Sequence, residues 1–461
     1  MGARELASVY DIEAHAARQD LPLLHADSER TVLWHRGEAI GVARFLGDVQ
    51  HVAAQLPDAG AAINLCEDRY AFLVAFCAIV VRGQINLLPS SRAPQAVDDV
   101  MLAHPGCYAL GDQPLDPAPR GYRQLPGLGV AAASAERAIP LVPAHQVVAI
   151  GYTSGSTGTP SANVKTWRSF HASNAGNLAM LQASVPAPFH VVATVPPQHM
   201  YGMELSVLLP LLSAASVHSG RPFFPADVAA ALAEVPAPRV LVTTPVHLRA
   251  LVDSGIALPR LAAMVSATAP LPTALAQAAE RQFGAPLLEV FGSTETCVFA
   301  SRRSASEDDW SLYDGVRLHP QPDGTQVEAP QLERPVTLAD LVSVSHAGRR
   351  FRLHGRHADM LEIAGKRASL GDLTRRLLAI PGVRDGVVFQ LDDRDALGVQ
   401  RIAAVAVAPG LDEHVILEAL RRAIDPLFLP RPLRLVASLP RNETGKLPRA
   451  ALLELVANPH A

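Results

Sequence analysis

Cysteine is scarce: Cys66, Cys77, Cys107 and Cys297 are the only four in 461 residues, and no two form a CxxC pair. Neither a disulfide framework nor a thiolate zinc site is expected, and a reducing cytoplasm suits the chain best. Charge is also modest. Lys+Arg 40 against Asp+Glu 44 leaves a net charge of −4, which disfavours a nucleic-acid binder held by a broad basic face. The longest apolar run, Tyr70–Val81, stops at Arg82, short of the ~20 residues a bilayer span needs. Near the N-terminus Glu5, Asp11 and Glu13 stand where a secretory leader would carry its apolar stretch, so export is not expected. There is no internal repeat and no low-complexity tract.

Hydrophobic residues at 49% with charged residues at 18% describe an ordinary globular chain. At ~150 residues per domain the length allows roughly three units, or one large unit with a small one. Prolines come in pairs such as Pro186/Pro188, Pro236/Pro238 and Pro430/Pro432 and punctuate short elements. Apolar runs of buried-strand length, Val191–Val195, Val240–Thr244 and Leu261–Ser266, alternate with the Ala/Leu-rich stretches Val228–Glu234 and Ala274–Phe283. That alternation reads as α/β. Toward the C-terminus, Val383–Leu391 and Arg401–Val407 suggest strands. Asp412–Leu427 suggests a helix with Ile416, Leu420, Ala423 and Leu427 on one face. The expected division is residues 1–354 as a large N-terminal domain and 355–461 as a small α+β lid, with Gly355 able to absorb a backbone rotation.

The strongest local signal is the apolar segment Val147–Tyr152 running into Thr153-Ser154-Gly155-Ser156-Thr157-Gly158-Thr159-Pro160. A loop of small hydroxyl and glycine residues after a buried strand can surround phosphate oxygens with N–H and O–H donors. It lacks the Gly-Lys-Ser/Thr ending of the Walker loop, which disfavours a P-loop nucleotidase. A flexible linker is the plain alternative. Its position between a buried strand and a second ordered segment with Lys165 and Trp167 speaks against that.

Four segments in order give the chain a family resemblance: the loop Tyr152–Pro160, Phe291-Gly292-Ser293-Thr294-Glu295, Gly355-Arg356, and Pro440…Gly445-Lys446…Arg449. Together they resemble the signatures of the adenylate-forming superfamily of acyl- and aryl-CoA synthetases, peptide-synthetase adenylation domains and luciferases. The resemblance implies a large mixed α/β adenylating domain with a mobile C-terminal lid. It also implies attack of a carboxylate on the α-phosphate of ATP with loss of pyrophosphate, a meeting of two anions that demands positive charge and oriented donors.

The resemblance assigns roles residue by residue. Thr153, Ser154, Gly155, Ser156, Thr157 and Gly158 would hold the β- and γ-phosphates. Thr294 would touch the α-phosphate, Glu295 would help hold Mg²⁺, and Phe291 with Gly292 would lie near the adenine. Lys446 would bridge carboxylate and α-phosphate where charge develops; without Gly445 and Arg449 around it, Lys446 would read as a solvated surface lysine. Asp340 and Arg356 would share the ribose, although an ordinary loop aspartate competes for Asp340. His199, in Pro196-Pro197-Gln198-His199-Met200-Tyr201-Gly202, matches the substrate-side position, against the alternative of a structural histidine. Ser266–Leu271 is similar to the Gly-Gly-Ala-Pro-Leu turn beside adenine, with Ala267 and Thr268 in place of the glycines.

Two departures stand out. Ser161 occupies the place of the usual lysine after the loop's proline, and the nearest replacement is Lys165, which is expected to reach the phosphates by another route. The hinge residue is expected at Ala358 or Asp359. The segments Asn64–Tyr70, Leu88–Pro94 and Lys165-Thr166-Trp167 look similar to the small hydroxybenzoate ligases of xanthomonadin and aryl polyene pigment clusters. That likeness implies a small aromatic carboxylic acid, activated with ATP and Mg²⁺ and loaded onto an acyl carrier protein. Transfer to free coenzyme A and a catalytically dead binding subunit are the alternatives. His199, Tyr201, Met203, Ser266, Phe291 and Thr296 are the expected walls of the acid pocket, mixing apolar surface with hydroxyls.

Overall fold

The computed structural model describes residues 19–129, 138–153, 161–345, 347–356, 360–363, 366–394, 400–441, 445 and 447–457. Among these, an 11-stranded sheet forms the centre. Its middle strands, Ser216–His218, His190–Ala193, Arg239–Thr243, Ala263–Ser266 and Leu287–Ser293, are mutually parallel. They read as near-continuous apolar runs because helices cover the sheet. Pro225–Ala233, Pro245–Ser254 and Thr273–Phe283 connect successive strands and bury Val228, Leu232, Leu248, Leu251, Leu275 and Ala276 beside Leu241 and Met264. The sheet turns antiparallel after Leu287–Ser293 and ends in the hairpin Asp340–Ser345 and Arg350–Arg356.

A second, 6-stranded sheet carries Val147–Thr153 between Ile85–Leu88 and Ser161–Thr166. The apolar helices Val42–Ala53 and Arg69–Val81 lie in the core that the two sheets share. Arg69–Val81 is the segment whose apolar run drew notice in the sequence. It is buried along almost its whole length, and among the described residues no helix is long and apolar enough to cross a membrane.

The smaller C-terminal domain has its own core, in which Leu373, Leu377, Ile402, Ala404, Ile416, Leu420 and Leu433 pack together. Strands Asp385–Arg394 and Gln400–Val407 appear where expected. The following helix is shorter than its apolar spacing predicts: it spans Glu413–Ala423, and Ile424 is already extended. Pro426 disfavours helical backbone at Asp425, and the chain continues as a single tight turn over Pro426–Phe428.

Candidate active site

The two residues flanking the Ser/Gly loop lie side by side. Thr153 pairs with Ser161 across antiparallel strands, and their hydroxyls are 2.6 Å apart. Ser161, which stands where a lysine is usual, therefore fastens the base of the loop. Ser154, Gly155, Ser156, Thr157 and Gly158 themselves lie outside the described residues, as do Lys446 and the expected hinge residues Ala358 and Asp359.

Thr294 is brought to this strand by close packing. A Cβ on Gly151 would come within 2.8 Å of the Thr294 methyl and 3.4 Å of Met200 Cε, so the absence of a side chain lets the strand, the Thr-Glu turn and the helix after His199 meet. Gly292 serves the turn in the same way, since a Cβ there would strike the Cys297 backbone. Cys297 closes the turn in the left-handed region at φ 59°. The turn is also bonded within itself, with Ser293 N–H donating to Thr296 Oγ1 at 3.1 Å and Thr296 Oγ1 to the Cys297 carbonyl at 2.9 Å.

Phe291 is half-buried, with Phe299, Trp310 and Phe351 packed around its ring at centroid distances of 5.4, 5.2 and 5.7 Å. Asp340 and Arg356 face each other in register across the terminal hairpin, and the Asp340 carbonyl accepts from Thr325 Oγ1 at 2.6 Å. Two residues expected at the ribose are thus neighbours although distant in sequence.

On the acid side, His199 precedes a helical stretch that runs from Met200 to Leu212 and is widened to a π turn over Glu204–Leu208. Tyr201 and Thr296 do not offer free hydroxyls. Tyr201 Oη lies 3.0 Å from the Thr243 and Val265 carbonyls, and Thr296 is fully buried in its turn. Both shape the site rather than address a ligand with their hydroxyls. Ser266, at the end of its strand, is fully buried with an unpartnered Oγ, and Gln198 buries Oε1 without a partner. Thr268 also leaves Oγ1 unpaired. Buried polar atoms are nearly always bonded, and these three come at or after the carboxyl ends of the central parallel strands Ala263–Ser266 and His190–Ala193.

Lys165 lies in the interior behind the Thr-Glu turn. It is 3% exposed, and its ammonium donates to the Glu295 carbonyl at 2.9 Å. Beside it lies Glu204, fully buried, which accepts from Ser173, from Asn177 Nδ2 at 3.1 Å and from the Val298 N–H at 3.0 Å. Burial raises the Glu204 carboxyl, while these donors and the Lys165 charge pull it back. The Cys297 thiol is pushed up to about 12 by burial, against the pull of the same lysine. Gln331 Nε2 completes the backing with contacts to the Thr296 and Val298 carbonyls at 3.2 and 3.3 Å. Sequence reasoning missed Glu204, Gln331 and Gln198. A lone acid in the apolar stretch Met200–Leu212 was the available signal for Glu204.

The single carboxylate at the turn has a bearing on metal binding. Among the described residues no group of three or more His, Cys, Asp or Glu side chains could hold a metal ion. Glu295 by itself fits Mg²⁺, which keeps several waters and takes one or two carboxylates plus phosphate oxygens.

The family model described as AMP-binding enzyme matches residues 52–327. A 4-coumarate–CoA ligase of Halorhodospira halophila is 31% identical over 309 residues, 64% of this chain and 73% of that protein. The ATP-bound structure of MatB from Rhodopseudomonas palustris shares the fold with a TM-score of 0.76 at 19% identity, over 95% of this chain and 97% of that one. The o-succinylbenzoate CoA synthetase of Bacillus subtilis, solved with its acyl-adenylate, superposes equally well, with a TM-score of 0.76 at 16% identity over 94% and 98% of the two chains. With its loop base, Thr-Glu turn and smaller C-terminal domain as described, the chain belongs to the AMP-binding enzymes, the adenylate-forming acid ligases that use ATP.

Proposed function

We propose that this protein activates a small, hydroxybenzoate-like aromatic acid and passes it to the phosphopantetheine thiol of an acyl carrier protein. The observation that carries the substrate class is the pair of buried, unpartnered polar atoms, Ser266 Oγ and Gln198 Oε1, beside the helix that His199 opens. A polar ring substituent could give such an oxygen the partner that an unsubstituted aliphatic chain cannot supply.

In the first step a carboxylate oxygen attacks the α-phosphorus, the bond to pyrophosphate breaks, and pyrophosphate leaves. The Thr153–Gly158 loop holds the β- and γ-phosphates, Thr294 the α-phosphate, and Asp340 with Arg356 the ribose. Phe291 and Thr268 border the adenine. Glu295 would hold Mg²⁺, which supplies charge neutralisation at the phosphates. Lys446 stabilises the developing charge; its neighbour Gly445 lies against Thr268 and Ala269, which supports delivery of the lysine to this place. Rotation about Ala358–Asp359 then exposes the acyl-adenylate. In the second step the thiol sulfur, losing its proton, attacks the acyl carbon and AMP departs.

The name of the Halorhodospira relative favours a second reading in which free coenzyme A is the acceptor. Carboxylate-dependent exchange of labelled pyrophosphate into ATP, over hydroxybenzoates, benzoate and short fatty acids, tests the first step. Acyl transfer to purified carrier protein against coenzyme A tests the second. Preference for a fatty acid would overturn the aromatic assignment, faster transfer to coenzyme A would select the second reading, and absence of exchange across the panel would defeat both.

A further inference from the structure

Resting on that reading, we propose that Lys165 is a positioning residue for the nucleotide step. Buried behind the Thr294-Glu295 turn, its ammonium holds the Glu295 peptide so that the Thr294 hydroxyl and Glu295 carboxylate present themselves to Mg·ATP. The lysine acts through the backbone and touches no phosphate.

Three observations converge on this. The Lys165 ammonium lies 2.9 Å from the Glu295 carbonyl, on a residue 3% exposed. A buried ammonium needs compensation, and the fully buried Glu204 sits close enough for the Lys165 charge to favour its ionised form. Finally, the inner side of the turn is held at successive backbone groups: the Glu295 carbonyl by Lys165, the Thr296 and Val298 carbonyls by Gln331, and the Val298 N–H by Glu204. Lys165 sits directly beneath the residue assigned to Mg²⁺. Glu204 also opens the π turn of the helix that His199 begins, so one carboxylate ties the acid side to the nucleotide side.

A mere core ion pair and a positioning device respond differently to neutralisation. The variants are Lys165→Met, Glu204→Gln and the double variant, compared by Mg·AMP-PNP titration, pyrophosphate exchange, transfer from a supplied acyl-adenylate, and Tm. Lys165→Met is expected to weaken Mg·nucleotide binding and raise the KM for Mg·ATP roughly 10-fold or more, the range seen when an outer partner of a metal ligand is removed. The KM for the acid and the transfer step should stay within about twofold, since neither uses the Glu295 carboxylate.

The double variant removes the ammonium and its carboxyl partner together, so Tm should recover toward wild type while Mg·nucleotide affinity does not. Recovery of that affinity in the double variant would reduce Lys165 to a charge partner and overturn the proposal. So would a Lys165→Met protein with lowered Tm and an unchanged KM for Mg·ATP. Wild-type protein that binds Mg·AMP-PNP but shows no exchange with any acid would sink the functional reading alone, because the titration still tests Lys165.

Discussion

Thr268 and Gly445, far apart in the chain, meet with left-handed backbones: φ is 82° at Thr268 and 79° at Gly445, and a Cβ on Gly445 would stand 3.7 Å from Thr268 Oγ1. A β-branched residue is a poor occupant of this region because its side chain crowds the following carbonyl. Thr268 keeps it while leaving its hydroxyl unpaired, and strain of this kind gathers at functional sites. Thr268→Gly is expected to raise stability by roughly 1 kcal/mol and to slow adenylation. Urea denaturation beside pyrophosphate exchange checks both; a destabilised variant would show that the conformation is not strained.

Gly151 gives a second test of the same convergence. A methyl group at this position meets the Thr294 methyl at 2.8 Å, and Gly151→Ala must push the Thr-Glu turn away from the strand. The KM for ATP should rise, and overpacking should cost roughly 1–3 kcal/mol. Loss of stability with an unaltered KM would mean that the turn relaxes without consequence for the nucleotide.

Lys446→Ala separates the two half-reactions. On the proposed assignment of Lys446 to the developing phosphate charge, its removal should reduce exchange on the order of 10²-fold to 10³-fold. Transfer from a supplied acyl-adenylate, in which the thiol attacks the acyl carbon and not phosphorus, should survive. Equal loss in both steps would contradict this division between lysine and hinge.

The sequence made legible whatever depends on local pattern. The buried strands Val240–Thr244 and Leu261–Ser266 were visible as apolar runs and differ from the observed strands by one or two residues at their ends. The signature segments were visible because phosphate chemistry restricts which residues can serve. What escaped was the inner side of the Thr-Glu turn. Glu204, Gln331 and Lys165 come from a helical stretch, a turn and a strand far apart in the chain, and their meeting is a property of the packed interior. Lys165 was expected among the phosphates because it is the lysine nearest the loop in sequence. The strand pairs it with Ala149 and directs its side chain inward, onto the Glu295 carbonyl.

The acid limit of stability should be set by buried neutral histidines. His247 is held down to about 4, first by burial and then by the nearby Arg221 charge. Its Nδ1 lies 3.1 Å from both Thr194 Oγ1 and Thr244 Oγ1. Burial also lowers His104, His171 and His190. In the unfolded chain each of these takes a proton near 6.5. Between that value and about 4 the unfolded state binds more protons, so stability falls as pH drops through this window and levels off below it. His247 alone can contribute up to ~3 kcal/mol of this loss. Glu204 works in the opposite sense: its raised carboxyl makes ionisation costly in the fold, and that cost disappears as pH falls. Urea titrations at pH 7 and pH 4.5 should therefore show a less stable protein at the lower pH, with a smaller difference in His247→Asn. Equal stability of the wild-type protein at the two pH values would remove histidine burial as the cause.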